Sequence, residues 1–222
     1  MTSYQELLEE LKSKSDEGYK AFHKKLLKNE DINVLGVRVP ELRKIAKKYK
    51  DADLLLSFPD DYYEVTFIKL TAVSGLEYSE FLKYCDRCVF LIDNWATCDC
   101  FTPDCIGKNR DDFLPYIKKY IADGREFFQR FALTTLLHYY VEEEYLETIF
   151  QLTERCDTGK YYVHMAAAWL IAEILAKYYD FGKSFLMENS LDKKTHNKAI
   201  QKALESYRLS GDRKNYLKGL KR

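Results

Sequence analysis

The residues whose types and spacing could do chemistry begin at Asn94-Trp95-Ala96-Thr97-Cys98-Asp99. Within a helix, positions i and i+4 lie one above the other on one face. Trp95 and Asp99 would therefore project together, an indole face beside a carboxylate. Read alone, the stretch is satisfied by a core tryptophan next to a capping or surface aspartate. Read as a site, it presents an aromatic face and an anion to one ligand. Two further positions weigh on the choice. Arg130 sits mid-helix after Phe127-Phe128-Gln129, and a guanidinium among apolar residues needs an anionic partner. Trp169 follows Ala166-Ala167-Ala168, small neighbours that would leave its indole accessible. Two indoles, a carboxylate and a guanidinium suit a cationic ring beside a phosphate, because aromatic faces attract cations. A carboxylate also stabilises an oxocarbenium-like sugar as a glycosidic bond breaks. The simpler account of Arg130 and Trp169 is an interhelical salt bridge and a core filler.

Other chemistries have little to stand on. His23, His138, His164 and His196 are scattered singly, and no phosphate-cradling glycine loop or nucleophile elbow is present. Cys85-Asp86-Arg87-Cys88 has zinc-like spacing, but no second pair follows at finger spacing and i, i+3 is also core spacing in a helix. The six cysteines read as buried thiols and no metal site is expected.

The elements that must position these residues are helices. The 222 residues hold only 9 Gly and 4 Pro, so long helices run with few interruptions. Apolar periodicity predicts helices over Ser3–Ser13, Asp16–Lys28 (Tyr19, Phe22 and Leu26 inward), Glu41–Lys50 after Pro40, Asp60–Leu76, and Glu80–Ile92 capped by Ser79. The Trp95–Asp99 helix follows, then one capped by Asp111 or Asp112, and further helices over Arg125–Tyr140, Glu142–Cys156, Tyr161–Tyr178 and onward from Asp192 or Thr195. No segment alternates with the period of a strand. Helices of roughly 10–18 residues joined by short loops suggest stacked antiparallel pairs, although no strict repeat is visible. No linker marks a boundary, so residues 1–222 read as one helical domain.

No apolar run approaches the roughly 20 residues of a membrane span, and the first residues do not resemble a signal peptide. A cytoplasmic protein and a monomer are the defaults. Net charge is zero but unevenly placed. Residues 193–222 hold ten Lys/Arg against two acids, +8, leaving −8 for the rest. The basic end, beginning with Lys193, Lys194 and Lys198, suggests an anionic partner. A solvated helical face balancing an acidic body would look the same.

Four segments carry a family resemblance. Gly36-Val37-Arg38-Val39-Pro40-Glu41-Leu42-Arg43 is similar to the Gly-x-x-x-Pro-x-x-Arg turn and helix of the AlkD-type DNA alkylation repair family, the HEAT-like-repeat DNA glycosylases. Trp95 to Asp99 matches that family's Trp-x-x-x-Asp site. Phe128-Gln129-Arg130-Phe131-Ala132 and Ala166-Ala167-Ala168-Trp169 resemble its later site helices, in order and at comparable spacing.

The resemblance implies an all-α fold, a curved right-handed stack of antiparallel helix pairs (HEAT-like, ARM-type) with a DNA-binding face. It implies excision of N3- or N7-alkylated purines from double-stranded DNA without metal or organic cofactor. Trp95 and Trp169 would lie against the deoxyribose, Asp99 would stabilise the developing sugar cation, and Arg130 would contact phosphate, with Lys193, Lys194 and Lys198 as further DNA contacts. The chain departs from the family pattern at Asn94 and Ala96 around the first tryptophan, and at Ala172 and Glu173 where an arginine is common. A non-catalytic module binding damaged or branched DNA, or a protein–protein scaffold, are the alternatives.

Overall fold

The computed structural model describes residues 3–27 and 31–222. Lys28, the expected end of the second helix, and Asn29 and Glu30 lie outside the described residues. The protein is all-α, with 74% of it helical. Among the described residues there are fifteen α-helices and no strand. The chain divides into two compact units, Met1–Cys105 and Ile106–Arg222.

The first unit contains α1 (Tyr4–Ser13), α2 (Glu17–Leu27), α3 (Val39–Ala46), α4 (Ala52–Ser57), α5 (Tyr63–Ser74), α6 (Tyr78–Leu91) and α7 (Trp95–Cys100). Its first helix starts cleanly because Ser3 and Glu6 form a reciprocal capping box. The pivot is α5, which packs against α3, α4, α6 and α7. A helix surrounded in this way cannot keep a polar face in water, so Glu64 and Lys69 are both fully buried. Each is satisfied. Lys69 Nζ donates to the Phe58 carbonyl and, at 2.7 Å, to Asp60. Glu64 accepts from the amides of Leu35, Gly36 and Val37 at 3.0, 2.7 and 3.2 Å. That carboxylate holds the turn in which Gly36 has φ +93°, and a Cβ there would sit 2.5 Å from the Asp16 carbonyl oxygen.

Several local expectations are corrected. On α2 the buried residues are His23 and Leu27, while Phe22 and Leu26 are 57% and 42% exposed. The α6 N-cap is Glu77 and Ser79 lies inside the helix. The next long helix, α9 (Arg110–Asp123), starts after Asn109 and not at Asp111 or Asp112.

The second unit continues after α8 (Cys105–Lys108) with α9, α10 (Glu126–Tyr139), a 3-10 turn (Glu143–Tyr145), α11 (Leu146–Glu154), α12 (Tyr161–Lys177), α13 (Tyr179–Glu188), α14 (Lys193–Glu205) and α15 (Gly211–Gly219). Here α10, α12 and α14 pack side by side, with α9 against α10 and α13 against α12. These are consecutive helix pairs whose second members form one row. A repeat absent from the residue types appears in the polar ties between pairs. Tyr145 bonds Asp111, Lys160 bonds the Gly124 carbonyl, the Tyr162 amide bonds Glu126, Tyr178 bonds Glu142, and the Ser190 amide bonds Glu154, at separations of 34 to 36 residues.

Candidate nucleic-acid interface

In the first unit the Trp95–Asp99 helix is short and needs anchoring. Asn94, 2% exposed, caps it by accepting from the Thr97 amide at 3.0 Å, and the Thr97 hydroxyl donates back to the Asn94 carbonyl. Ala96, Thr97 and Cys98 are buried. Trp95 and Asp99, one turn apart, and Cys100 are partly buried. The indole packs on the core of the unit and donates its N–H to the Leu26 carbonyl, in the last turn of α2, at 3.0 Å. With its one polar atom engaged, only the ring face of Trp95 is left to meet a ligand. Burial pushes the Cys100 thiol up; Arg43 on α3 opposes that shift and Asp99 adds to it.

In the second unit Arg130, on α10, is 6% exposed. Its Nη1 donates to the Tyr162 carbonyl on α12 at 2.9 Å, and the guanidinium carbon lies 5.7 Å from the Tyr162 ring centre. Trp169, also on α12, is 39% exposed and meets His138 of α10 edge to face at 6.2 Å. Arg130 thus touches α12 at Tyr162 and His138 touches it at Trp169. At 1.5 Å per residue, the two contacts are about 10–12 Å apart along the helices.

Lys193, Lys194 and Lys198 sit on the first turns of α14, the third helix of that row. Lys193 and Lys194 are exposed at a helix N-terminus, where the backbone dipole favours carboxylates. Helix stability does not ask for them. Asp192, the N-cap, offsets part of the cost. Burial pushes its carboxyl up, but hydrogen bonds from Thr195 and Thr158 outweigh that and bring it down to about 2. The Thr195 hydroxyl donates to Asp192 at 2.6 Å, so it accepts from Nδ1 of the buried His164 at 2.9 Å. Burial, and then the charges of Lys194 and Lys198, hold the His164 imidazole below its ordinary value, while Asp192 opposes them.

Sequence reasoning missed three positioning groups: the Leu26 carbonyl, the Asn94 cap and the His138 ring. Asn94, directly before a helical run, carried a readable capping signal. The other two depend on contacts between separate helices and leave no local trace. Cys85 and Cys88 are fully buried on α6 and pack as core residues. Among the described residues, no group of three or more His, Cys, Asp or Glu could hold a metal ion.

Residues 5–206 match the family described as DNA alkylation repair enzymes. The match spans most of the chain, which belongs to that family. No curated protein matches the sequence.

Proposed function

From membership of the DNA alkylation repair enzymes, we propose that this protein is a monofunctional DNA glycosylase that hydrolyses the N-glycosidic bond of N3- and N7-alkylated purines in duplex DNA. The observation that supports this reading is that Trp95 and Asp99 stand one turn apart on α7, both partly accessible. An indole and a carboxylate so placed suit a sugar that develops positive charge. On this reading residues 1–222 work as one helical-repeat domain, a monomer in the cytoplasm.

An alkylated purine of this kind carries a formal positive charge. When its bond to C1′ breaks, the electron pair passes to the base nitrogen and neutralises it, so no general acid is required. The remaining oxocarbenium-like sugar is what the enzyme must stabilise. Asp99 lies against that charge and orients the water that adds to C1′. The accessible part of the Trp95 ring contacts the deoxyribose and stabilises the cation, and Trp169 offers a second aromatic face to the DNA. Lys193, Lys194 and Lys198 neutralise backbone phosphates, while Arg130, buried and bonded to the Tyr162 carbonyl, holds α10 to α12.

A second reading has a specific observation in its favour. Where the family often carries an arginine after its second tryptophan, Glu173 stands here in an ion pair with Arg208. The position thus supplies a paired carboxylate and no cation beside Trp169, which favours a helical module that binds damaged DNA without excision. Release of 7-methylguanine or 3-methyladenine from methylated duplex separates the two. The enzyme reading expects release, and Asp99→Asn should slow it by about two orders of magnitude or more while leaving duplex affinity close to wild type. Duplex binding with no release at any salt concentration would leave only the binding module standing.

A further inference from the structure

Although the body of the chain outside residues 193–222 is net acidic, the only charged residues lining one cavity in the first unit are cations. It measures 370 Å³ and lies between the C-terminal ends of α3 and α5. Arg43, Lys47 and Lys50 line it, and no carboxylate does. All three are exposed, and none makes an ion pair among the described residues. The adjacent lysines of the same segment behave differently. Lys44 pairs with Glu41 at 2.6 Å and Lys48 pairs with Glu10 at 2.5 Å. Ion pairs neutralise one side of α3 and its extension, while the side facing the cavity keeps three unmatched positive charges.

The rest of the lining is apolar or neutral, from Ala46, Tyr49, Thr71, Ala72, Gly75 and Leu76. Free phosphate would need only the cations. A cationic rim over a mostly apolar floor fits a phosphate attached to a group with a C–H face, such as a deoxyribose ring. The cavity also opens between α3 and α5, and α5 packs on α7, the helix of Trp95 and Asp99. Arg43 is close enough to α7 to act electrostatically on Cys100.

We propose that Arg43, Lys47 and Lys50 form a phosphate site that takes the sugar–phosphate backbone of DNA, an assignment of the polymer that rests on the nucleic-acid reading above. Each cation displaces a condensed counterion from the duplex, so the site sets part of the salt dependence of binding.

The test compares wild type with Arg43→Gln/Lys47→Gln/Lys50→Gln for unmodified duplex DNA across a salt series. Because the three side chains are exposed, the variant should keep its circular dichroism and unfolding midpoint. The slope of log affinity against log salt should fall in magnitude by about 2 to 3, at roughly 0.9 per lost contact. Lys193→Gln/Lys194→Gln/Lys198→Gln serves as the comparison in the second unit. In a parallel arm, inorganic pyrophosphate is titrated calorimetrically. A reduced slope with weak pyrophosphate binding supports the backbone assignment. An unchanged slope overturns it, and micromolar pyrophosphate binding lost in the variant would then identify a free-phosphate site instead. Wild type that binds no duplex at low salt overturns the proposed function and the polymer assignment together. Wild type that excises a methylated base with the same slope as the variant overturns only the cavity.

Discussion

Removing the Glu64 carboxylate should unfold the first unit more readily, and the size of the effect follows from its three bonds. Glu64 is fully buried, and its two oxygens accept from Leu35, Gly36 and Val37. The Gly36 and Val37 amides share Oε1, while the Leu35 amide bonds Oε2. Glu64→Gln retains an acceptor for the first pair but sets an amide N–H₂ against the Leu35 N–H. One charge-assisted bond is lost and a donor is left facing a donor, at a cost of about 2 kcal/mol. Glu64→Ala removes all three acceptors and leaves a cavity, so its cost rises to about 4–6 kcal/mol.

The chain's two tryptophans make the assay specific, because Trp95 lies in the first unit and Trp169 in the second. In a Trp169→Phe background, indole fluorescence during urea unfolding reports the first unit alone. With a denaturant slope of about 1–2 kcal/mol per M, Glu64→Gln should lower that midpoint by about 1 M or more. Glu64→Ala should lower it further or leave the unit unfolded in buffer. An unfolding free energy for Glu64→Ala within about 0.5 kcal/mol of the parent would refute the reasoning, since three buried amides would then have lost their acceptor at no cost.

Two other perturbations probe the same architecture. Gly36→Ala would place a Cβ 2.5 Å from the Asp16 carbonyl and 2.7 Å from Lys20 Cβ, at φ +93°; it should cost the first unit about 2–4 kcal/mol by the Trp95 assay. The second unit should lose stability as pH falls below the ordinary histidine value of 6.5. Burial depresses both His164 and His196 in the folded state, so the unfolded chain binds more protons between the depressed values and 6.5, and stability rises with pH across that window. Protonating His196 would also set its Nδ1 against the Asn189 amide while Nε2 still serves the Leu220 carbonyl. Trp169 fluorescence in a Trp95→Phe background should give a lower urea midpoint at pH 5.5 than at 7.5, and equal midpoints would contradict the assignment.

Helix existence was legible in the sequence because breakers are rare and apolar residues recur at helical spacing. Direction of burial was less so. On α2, Phe22 and Leu26 read as the inward stripe because they are large and apolar, yet the helix buries His23 and Leu27. The difference is one position of rotation, and it is set by Tyr63, whose ring lies 4.6 Å from His23, and by the Leu26 carbonyl that Trp95 requires. Both are long-range partners. The reverse error arises on α5, where Glu64 and Lys69 look solvent-facing and are the most buried polar groups of the unit. Their partners lie in loops 28 and 9 residues away, from which the helix's own sequence receives no mark. Trp95 and Asp99 were legible as a pair because one short helix carries them both. Arg43, Lys47 and Lys50 went unremarked as a group because the acids that neutralise their neighbours, Glu10 and Glu41, reveal the unmatched side only once the helices are packed.

The hidden repeat explains why charge, more than apolar pattern, carries the functional signal here. Any apolar residue of suitable size can fill a helix interface, so the core positions of successive pairs have little reason to match in type. The ties at 34 to 36 residues need only one donor and one acceptor, and several donor types supply them: tyrosine hydroxyls at Tyr145 and Tyr178, backbone amides at Tyr162 and Ser190, an ammonium at Lys160. Register is kept more strictly than identity. Charges consumed by these ties, as in Glu142 with Lys177 and Glu173 with Arg208, are accounted for by the fold. Those left over are the informative ones. Lys193 and Lys194 stand at a helix end whose dipole disfavours them, and Arg43, Lys47 and Lys50 line a cavity without a counter-ion. Neither group is explained by the stability of its own unit, and both are available for the proposed contact with an anionic polymer.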